Sequence, residues 1–138
     1  MSVHKAHIVY RVPYADTDQM GVVYYANYLI YFEILRSQLL RDLGLPYGEL
    51  ERRGFALPVI EAHVNYRASA RYDDELDVYG WLGAIKGVRV RVDCEVRCRA
   101  ALLATGHTLH AFVERSSLKP TRVIPELAAC APGDAAPG

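Results

Sequence analysis

Two aspartates close together, Asp16 and Asp18, are the residues whose types and spacing best suit chemistry. They lie in a short loop that contains Gly21 and runs directly into the only long helical pattern of the chain. The first turn of a helix carries unpaired amides and partial positive charge. A carboxylate beside those amides can act as a base or a nucleophile on a carbonyl whose oxygen they polarise. The loop therefore predicts chemistry at a carbonyl group.

Three other interpretations of the loop can be weighed from its residues. A calcium loop would need an acidic residue where the chain has Met20, and a closing glutamate where it has Asn27. An aspartate phosphatase would need threonine or valine at the position of Met20, and the chain is short for that doubly wound fold. Helix capping by Asp18 stays open, because aspartate is a leading cap residue. Two aspartates are nevertheless more than one cap requires.

Apolar residues recur every three or four positions after Gly21, as they do on one face of a helix. The members of this stripe are Tyr25, Tyr28, Leu29, Phe32, Leu35, Leu39, Leu40 and Leu43. Gly44 and Pro46 then supply a stop. The spacing predicts one helix about 30 Å long. Because Tyr31 and Ile34 add apolar bulk off the stripe, we expect other structure to cover most of this helix.

Alternating apolar and polar residues predict five strands around this helix. The predicted strands are residues 4–12, 55–70, 75–85, 88–99 and 102–115. The clearest is 88–99, where valine and cysteine alternate with charged residues. One helix after the first strand, followed by four strands on short turns, favours an antiparallel sheet that curls around the helix. An exposed sheet face and an edge strand would remain, and pairing of subunits commonly covers both.

Composition excludes several classes of function. The chain has 138 residues and a formal net charge of +0, so it holds one domain and lacks the broad basic surface of a nucleic-acid or anionic-membrane partner. No signal peptide or membrane-spanning run is visible. Cys94 and Cys98 lie four apart on a predicted strand, about 13 Å, which is too far for a disulfide. We therefore expect a reducing, cytoplasmic compartment.

The histidine pairs do not predict a metal site. His4 and His7 are three apart on a predicted strand, and so are His107 and His110. Residues with this spacing point to opposite faces of a strand, so neither pair converges on one ion. We expect no metal and no cofactor.

The loop and helix resemble a known signature. Residues 14–33 read YADTDQMGVVYYANYLIYFE, residues 65–76 read NYRASARYDDEL, and residues 106–108 read GHT. These segments resemble hotdog-fold acyl-CoA thioesterases, in the branch of 4-hydroxybenzoyl-CoA thioesterase and the YbgC-like enzymes. The resemblance implies an α+β hotdog fold, with one long central helix wrapped by a five-stranded, mostly antiparallel sheet. We expect this domain over residues 1–120 and a disordered Pro/Ala/Gly-rich tail over residues 121–138.

The resemblance also implies roles for individual residues. Asp18 would be the catalytic carboxylate, which either attacks the thioester carbonyl or activates water; the residues alone leave both routes open. The backbone N–H of Tyr25 would polarise the thioester oxygen. Tyr14, Gly21 and Glu33 would contact the substrate, since Tyr14 and Glu33 match active-site positions and glycine allows close backbone approach.

Two departures from the family pattern bear on the mechanism. Many YbgC-like members carry histidine where this chain has Tyr25, so assistance by histidine is not expected, but the backbone role survives. The basic cluster that holds the CoA phosphates is thinned to Lys86, for which Arg67, Arg71 and Arg89 are candidate substitutes.

The sequence thus predicts a cytoplasmic homodimer or homotetramer that hydrolyses a short-chain, medium-chain or aromatic acyl-CoA. It predicts no nucleic-acid partner and no membrane insertion. Two alternatives remain open, namely hydrolysis of acyl groups on acyl carrier protein and a non-catalytic acyl-binding hotdog module. A hotdog hydratase is disfavoured, because its histidine pattern is not evident around the central helix.

Overall fold

Alternating apolar residues build an antiparallel sheet against one long helix. The computed structural model describes residues 3–132. Its strands are β1 (Ala6–Arg11), β2 (Phe55–Ala56), β3 (Val59–Tyr66), β4 (Glu75–Lys86), β5 (Arg89–Cys98), β6 (Ala101–Ala111) and β7 (Val113–Glu114), and its helices are α1 (Asn27–Asp42), α2 (Tyr47–Arg52) and α3 (Pro125–Ala128). Five strands form one sheet in the order β1-β4-β5-β6-β3, while β2 pairs with β7. Every pairing is antiparallel. This is the α+β hotdog architecture that the sequence predicted.

Helix α1 lies across the concave face of the sheet. It buries six side chains, which are Tyr28, Tyr31, Phe32, Leu35, Leu39 and Leu40. The predicted stop is confirmed, because Gly44 has φ +78° and the Leu45 amide donates to the Leu40 carbonyl at 2.9 Å. Two members of the predicted stripe are exposed, since Tyr25 precedes the helix and Leu29 lies at its rim. Tyr31, placed off the stripe, is fully buried instead.

Close contact between α1 and the sheet depends on a glycine. A Cβ added at Gly106 would overlap the carbonyl oxygen of His63 and would lie 2.8 Å from Cε2 of Phe32. The Phe32 ring therefore rests directly on the backbone of β6, where any other residue would hold the helix away.

Two predicted strands are interrupted. The segment predicted as one strand over 55–70 is divided into β2 and β3, because Pro58 between them has no amide to donate to a ladder. The segment predicted over 102–115 is divided at Phe112, whose amide donates to Val88 instead. The predicted third and fourth strands are confirmed as β4 and β5. Strand β3 is almost wholly exposed, as expected for an unpaired edge.

The expectation of a disordered tail from residue 121 is wrong for residues 121–132. Val123, Ile124 and Leu127 are buried in the core, and Pro125 begins helix α3. Arg53, which follows the last residue of α2, also forms an ion pair with Glu126 at 2.8 Å. Docking of these apolar side chains outweighs the local Pro/Ala-rich composition. Residues 133–138 of the predicted tail lie outside the described part of the chain.

Within residues 3–132, no helix is both long enough and apolar enough to cross a lipid bilayer.

Candidate active site at the start of helix α1

The loop before α1 is closed by its own backbone. Thr17 and Val23 form an antiparallel bridge, and the Asp18 amide donates to the Val22 carbonyl at 2.9 Å. Gly21 turns the chain with φ +80°, a conformation that glycine adopts without strain. Its amide donates back to the Asp18 carbonyl at 2.9 Å. The loop thus holds Asp18 in a fixed, tight turn.

Asp16 joins this loop to the helix and the sheet. Its Oδ2 accepts hydrogen bonds from the hydroxyls of Tyr10 at 2.8 Å and Tyr31 at 2.7 Å. Its backbone carbonyl accepts from the Tyr24 amide and from Asn27 Nδ2, both at 2.9 Å. Burial and then the Asp16 carboxylate raise the pKa of Tyr10 to about 12, and the same two causes raise the pKa of Tyr31. Asp16 is therefore occupied as a structural anchor.

Asp18 is the aspartate left available for chemistry. Its Oδ1 accepts the Met20 amide at 2.9 Å, and its other oxygen has no protein partner within residues 3–132. The side chain is half-buried. Asp18 does not cap the helix, because the cap position is Ala26 and no side chain caps it. One oxygen of Asp18 is thus free to attack a carbon or to take a proton from water.

The backbone at Tyr25 presents a free donor beside this loop. Among the described residues, no acceptor is bonded to the Tyr25 amide, while its carbonyl accepts the Tyr66 hydroxyl at 2.8 Å. The Tyr24 amide is already bonded to Asp16. A hydrogen bond with Tyr25 raises the pKa of Tyr24, and the negative charge of Asp18 adds to this effect. The charge of Asp18 is thus felt at Tyr24, the residue directly before the free amide.

Tyrosines surround the start of the helix without closing it in the single chain. The ring of Tyr66 lies edge-on to Tyr28 at 5.2 Å and to Tyr25 at 6.4 Å, measured between centroids. Tyr24 is 44% exposed and Tyr25 is 61% exposed. Within one subunit these rings therefore leave the start of the helix open to water. Tyr66 was missed from the sequence, because only the folded sheet brings β3 to this helix.

Of the predicted substrate-binding residues, Tyr14 lies next to the Asp18 loop, whereas Glu33 lies further along helix α1. Tyr14 is in the 3-10 turn (Tyr14–Asp16) immediately before the loop, where it is exposed and contacts the Tyr72 ring at 5.7 Å. Glu33 is eight residues after Tyr25, about 12 Å along the helix axis, and is exposed. The structure does not bring Glu33 to the Asp18 loop.

The four predicted CoA-binding residues fall at opposite ends of the sheet. Lys86 and Arg89 line a cavity of about 310 Å³ at the β4–β5 hairpin, together with Arg91, which the sequence analysis did not single out. Arg67 and Arg71 follow β3 at its other end, close to the start of α1. Strand β3 has eight residues, which separates the two pairs by about 23 Å. One subunit therefore cannot bring all four to a single phosphate group.

A separate cavity of about 400 Å³ lies on the outer face of the sheet, lined in part by His63, Trp81, Arg91 and His107. Asp18 does not line it. Across the described residues, no three His, Cys, Asp or Glu side chains converge as a metal site would require.

Comparison with known proteins identifies the family. Residues 12–130 match the family model described as the thioesterase-like superfamily. The chain belongs to this thioesterase superfamily. It is a thioester hydrolase with the hotdog fold.

Individual members of the thioesterase superfamily resemble the chain over most of its length. YneP of Bacillus subtilis is 35% identical over 121 residues, which covers 87% of this chain and 86% of the relative. The acyl-CoA thioester hydrolase YbgC of Escherichia coli O6:H1 is 32% identical over 117 residues, covering 84% and 87% respectively. The crystal structure of a DHNA-CoA thioesterase from Staphylococcus aureus superposes with a TM-score of 0.86 at 28% identity, covering 91% of this chain and 87% of that one.

Proposed function

We propose that this thioester hydrolase acts on acyl-CoA, releasing a short-chain, medium-chain or aromatic acid and free CoA. One observation carries the proposal. The Asp18 carboxylate has an oxygen without a protein partner, and it lies beside the start of α1, where the Tyr25 amide also has no partner within residues 3–132. The relatives named as acyl-CoA thioesterases support CoA as the carrier. The DHNA-CoA thioesterase supports an aromatic acyl group.

The proposed mechanism divides the reaction between these two groups. The Tyr25 N–H donates to the thioester oxygen, and one such donor is typically worth about 2.7–4 kcal/mol in the transition state. Asp18 either attacks the carbonyl carbon, giving an anhydride that water then cleaves, or removes a proton from an attacking water. In both routes the C–S bond breaks, the CoA sulfur receives a proton, and the oxygen of water ends in the acid.

Asp16 holds the two reacting groups, the Asp18 carboxylate and the Tyr25 amide, in place. It fixes the loop through the tyrosine hydroxyls and the helix start through the Tyr24 amide. The two reacting groups are therefore set before substrate binds, which removes reorganisation from the catalytic step. Tyr14 and Gly21 border the loop, and we propose that they contact the substrate there.

We propose that two subunits complete the CoA site. The free edge of β3 can pair with β3 of a second copy. Antiparallel pairing would carry the partner subunit's Lys86 and the partner subunit's Arg89 from the far end of the sheet toward Arg67 and Arg71. The two pairs of cations, which lie about 23 Å apart in one chain, would then come close to each other across the subunit interface. The exposed rings of Tyr24 and Tyr25 would be covered. A homodimer, or a tetramer built from two, is the expected assembly.

We also propose a cytoplasmic location. Cys94, Cys98 and Cys130 are all free thiols, as expected in a reducing compartment. No bound cofactor is required by the proposed steps, because CoA is part of the substrate.

A panel of thioesters tests this function directly. The purified chain would be assayed with benzoyl-CoA, hydroxybenzoyl-CoA, straight-chain acyl-CoA esters and the same acyl groups on acyl carrier protein, with detection of the released thiol. We expect turnover of at least one CoA ester. Turnover of carrier-protein esters alone would reassign the carrier, and inertness toward every ester would favour a non-catalytic acyl-binding module.

A further inference from the structure

Arg36 occupies an unusual position on α1. It lies one turn from Phe32 and one turn from Leu40, both of which are buried, and its own side chain is half-buried. Its positive charge lowers the pKa of Cys94 in β5, in opposition to the larger effect of burial. Helix α1 thus holds a half-buried cation between two buried positions of the same helix face.

This guanidinium lacks the partners that several other arginines of the chain have. Arg11 pairs with Glu75 at 2.9 Å, and Arg91 pairs with Asp93 at 3.0 Å. Within residues 3–132, Arg36 makes neither an ion pair nor a side-chain hydrogen bond. Burial lowers the pKa of Arg36, and the Glu33 charge one turn earlier only partly offsets this. Among the described residues no buried side-chain nitrogen lacks a partner, so the Arg36 guanidinium keeps contact with solvent and is open to an anionic ligand.

Arg36 faces a cavity with further donors. The cavity measures about 370 Å³ and is lined by Glu33, Arg36, Ser37, Leu40 and Tyr47. The Tyr47 hydroxyl accepts the Leu57 amide at 3.1 Å, so its own proton remains available to donate. The Ser37 hydroxyl has no partner among the described residues. The only acid of this lining is Glu33, which is exposed at the rim.

We infer that this cavity binds an oxyanion group, a carboxylate or a phosphate, through Arg36 with Ser37 and Tyr47 as additional donors. The planar guanidinium fork matches the two oxygens of such a group. Glu33 lines the same cavity, so its negative charge would disfavour a ligand that carries several negative charges.

Two sources of this oxyanion are compatible with its position. Arg36 is eleven residues after Tyr25, about 16 Å along the axis and nearly on the same helical face, with the exposed Leu29 between them. An acyl group lying along α1 from the proposed oxyanion donor would end at Arg36, so one source is a carboxylate at the far end of the acyl chain. This source rests on the proposed function. The other source is a separate small acid.

Anion-dependent stability tests the site without reference to catalysis. Thermal midpoints would be measured in sodium phosphate and in sodium glutarate, against sodium chloride at equal ionic strength. Wild type should gain a saturable rise, and Arg36→Met should lose it while keeping its midpoint in chloride, because no described residue pairs with that guanidinium. Arg41→Met is the matched control on the same helix, since Arg41 is exposed and bonded to Gln38, and it should keep the rise.

The same variants separate the two sources. Acyl-CoA esters that end in a carboxylate would be compared with methyl-ended esters of equal length. If the oxyanion is the end of the acyl group, wild type should prefer the carboxylate-ended esters by at least tenfold in kcat/KM, and Arg36→Met should lose this preference. If the oxyanion belongs to a separate acid, wild type and Arg36→Met should show the same ratio of kcat/KM for the two kinds of ester. An anion-dependent rise that is equal in wild type and Arg36→Met, or absent from wild type, would overturn the site. Absence of all hydrolysis with the rise intact would overturn the proposed function alone.

Discussion

The Tyr31 hydroxyl donates a 2.7 Å hydrogen bond to the carboxylate of Asp16, fifteen residues earlier in the chain. Tyr31 is fully buried in α1, so this bond ties the loop before the helix to the core. The same carboxylate oxygen accepts from Tyr10 of β1. One aspartate of the pair therefore has its charge committed to two hydroxyls, which leaves Asp18 to react.

Replacement of Asp16 tests whether Asp16 anchors the loop while Asp18 reacts. Asp16→Asn replaces the charged carboxylate by a neutral amide. The hydroxyls of Tyr10 and Tyr31 both donate to one oxygen of Asp16, and the NH₂ group of asparagine cannot accept these hydrogen bonds if it takes that position. We expect a loss of about 1–3 kcal/mol in the free energy of unfolding, because bonds to a charged group are lost from a partly buried site. Urea unfolding measures this loss. Asp18→Asn should leave the unfolding free energy within about 0.5 kcal/mol, and equal stability of wild type and Asp16→Asn would contradict the anchoring role.

The contact between α1 and β6 predicts a strict requirement at Gly106. Gly106→Ala would press a methyl group against the His63 carbonyl and the Phe32 ring. Because the backbone of β3 cannot easily move, we expect a loss of about 3 kcal/mol in the free energy of unfolding. Gly48→Ala in α2 is the control, since no atom of the described residues outside that helix's own backbone lies within 4 Å of the added atom. It should be neutral or slightly stabilising, and similar unfolding curves for the two variants would show that the close contact is absent.

Buried His110 predicts a loss of stability in acid. Burial lowers the pKa of His110 to about 4, while an unfolded histidine titrates near 6.5. Between these values the unfolded chain binds a proton that the folded chain does not. This part of the stability is therefore fully present above about pH 6.5 and is lost as pH falls through about 4. The loss is on the order of 3 kcal/mol.

Urea unfolding between pH 7.5 and 3.5 checks the His110 prediction. His110→Gln should be less stable at neutral pH, because the bonds to Thr108 and to the Leu57 carbonyl are changed, but its curve should fall less steeply with acid. A His110 ring whose NMR shifts titrate near pH 6.5 in the folded protein would disprove the assignment.

The hairpin cavity predicts a binding defect for Lys86. Lys86→Ala removes one cation from the group that includes Arg89 and Arg91. If this group holds CoA phosphates, KM for an acyl-CoA should rise by about threefold to tenfold with kcat nearly unchanged, since the lost interaction is the same in the ground and transition states. Lys119→Ala, at an exposed site near β7, is the control. A fall in kcat alone would move the nucleotide site elsewhere.

The local sequence was sufficient to predict burial where one face of a strand or helix is apolar and the other is polar. The alternation over residues 88–99 predicted one buried face. Val90, Val92, Cys94 and Val96 are buried, while Val88 and Cys98 at the two ends are half-buried. Such a pattern needs no knowledge of distant residues, because a strand with the wrong register would expose every apolar side chain. The stop of α1 at Gly44 is local for the same reason.

Contacts between distant segments were not accessible from local patterns. The resemblance pointed to Asp18, but it did not show what Asp16 does; that follows from the hydroxyls of Tyr10 and Tyr31, which only folding brings to Asp16. Leu127 lies in an alanine-rich segment whose docking depends on the rest of the core, so its burial was not predicted.

Sheet topology, rather than spacing in the sequence, also determines which of the predicted CoA-binding residues lie close together. Arg89 and Arg67 lie at opposite ends of the sheet, and a list of cations cannot show which of them act together.

Turnover by Asp18→Asn tests the central claim most directly. The variant keeps the size of the side chain and an oxygen that can accept the Met20 amide, but it removes the negative charge that either proposed route requires. With an acyl-CoA that wild type hydrolyses, kcat should fall by at least about 100-fold while the thermal midpoint is preserved. Asp73→Asn, in an exposed turn, should retain wild-type kcat. Equal turnover by wild type and a correctly folded Asp18→Asn would contradict the account.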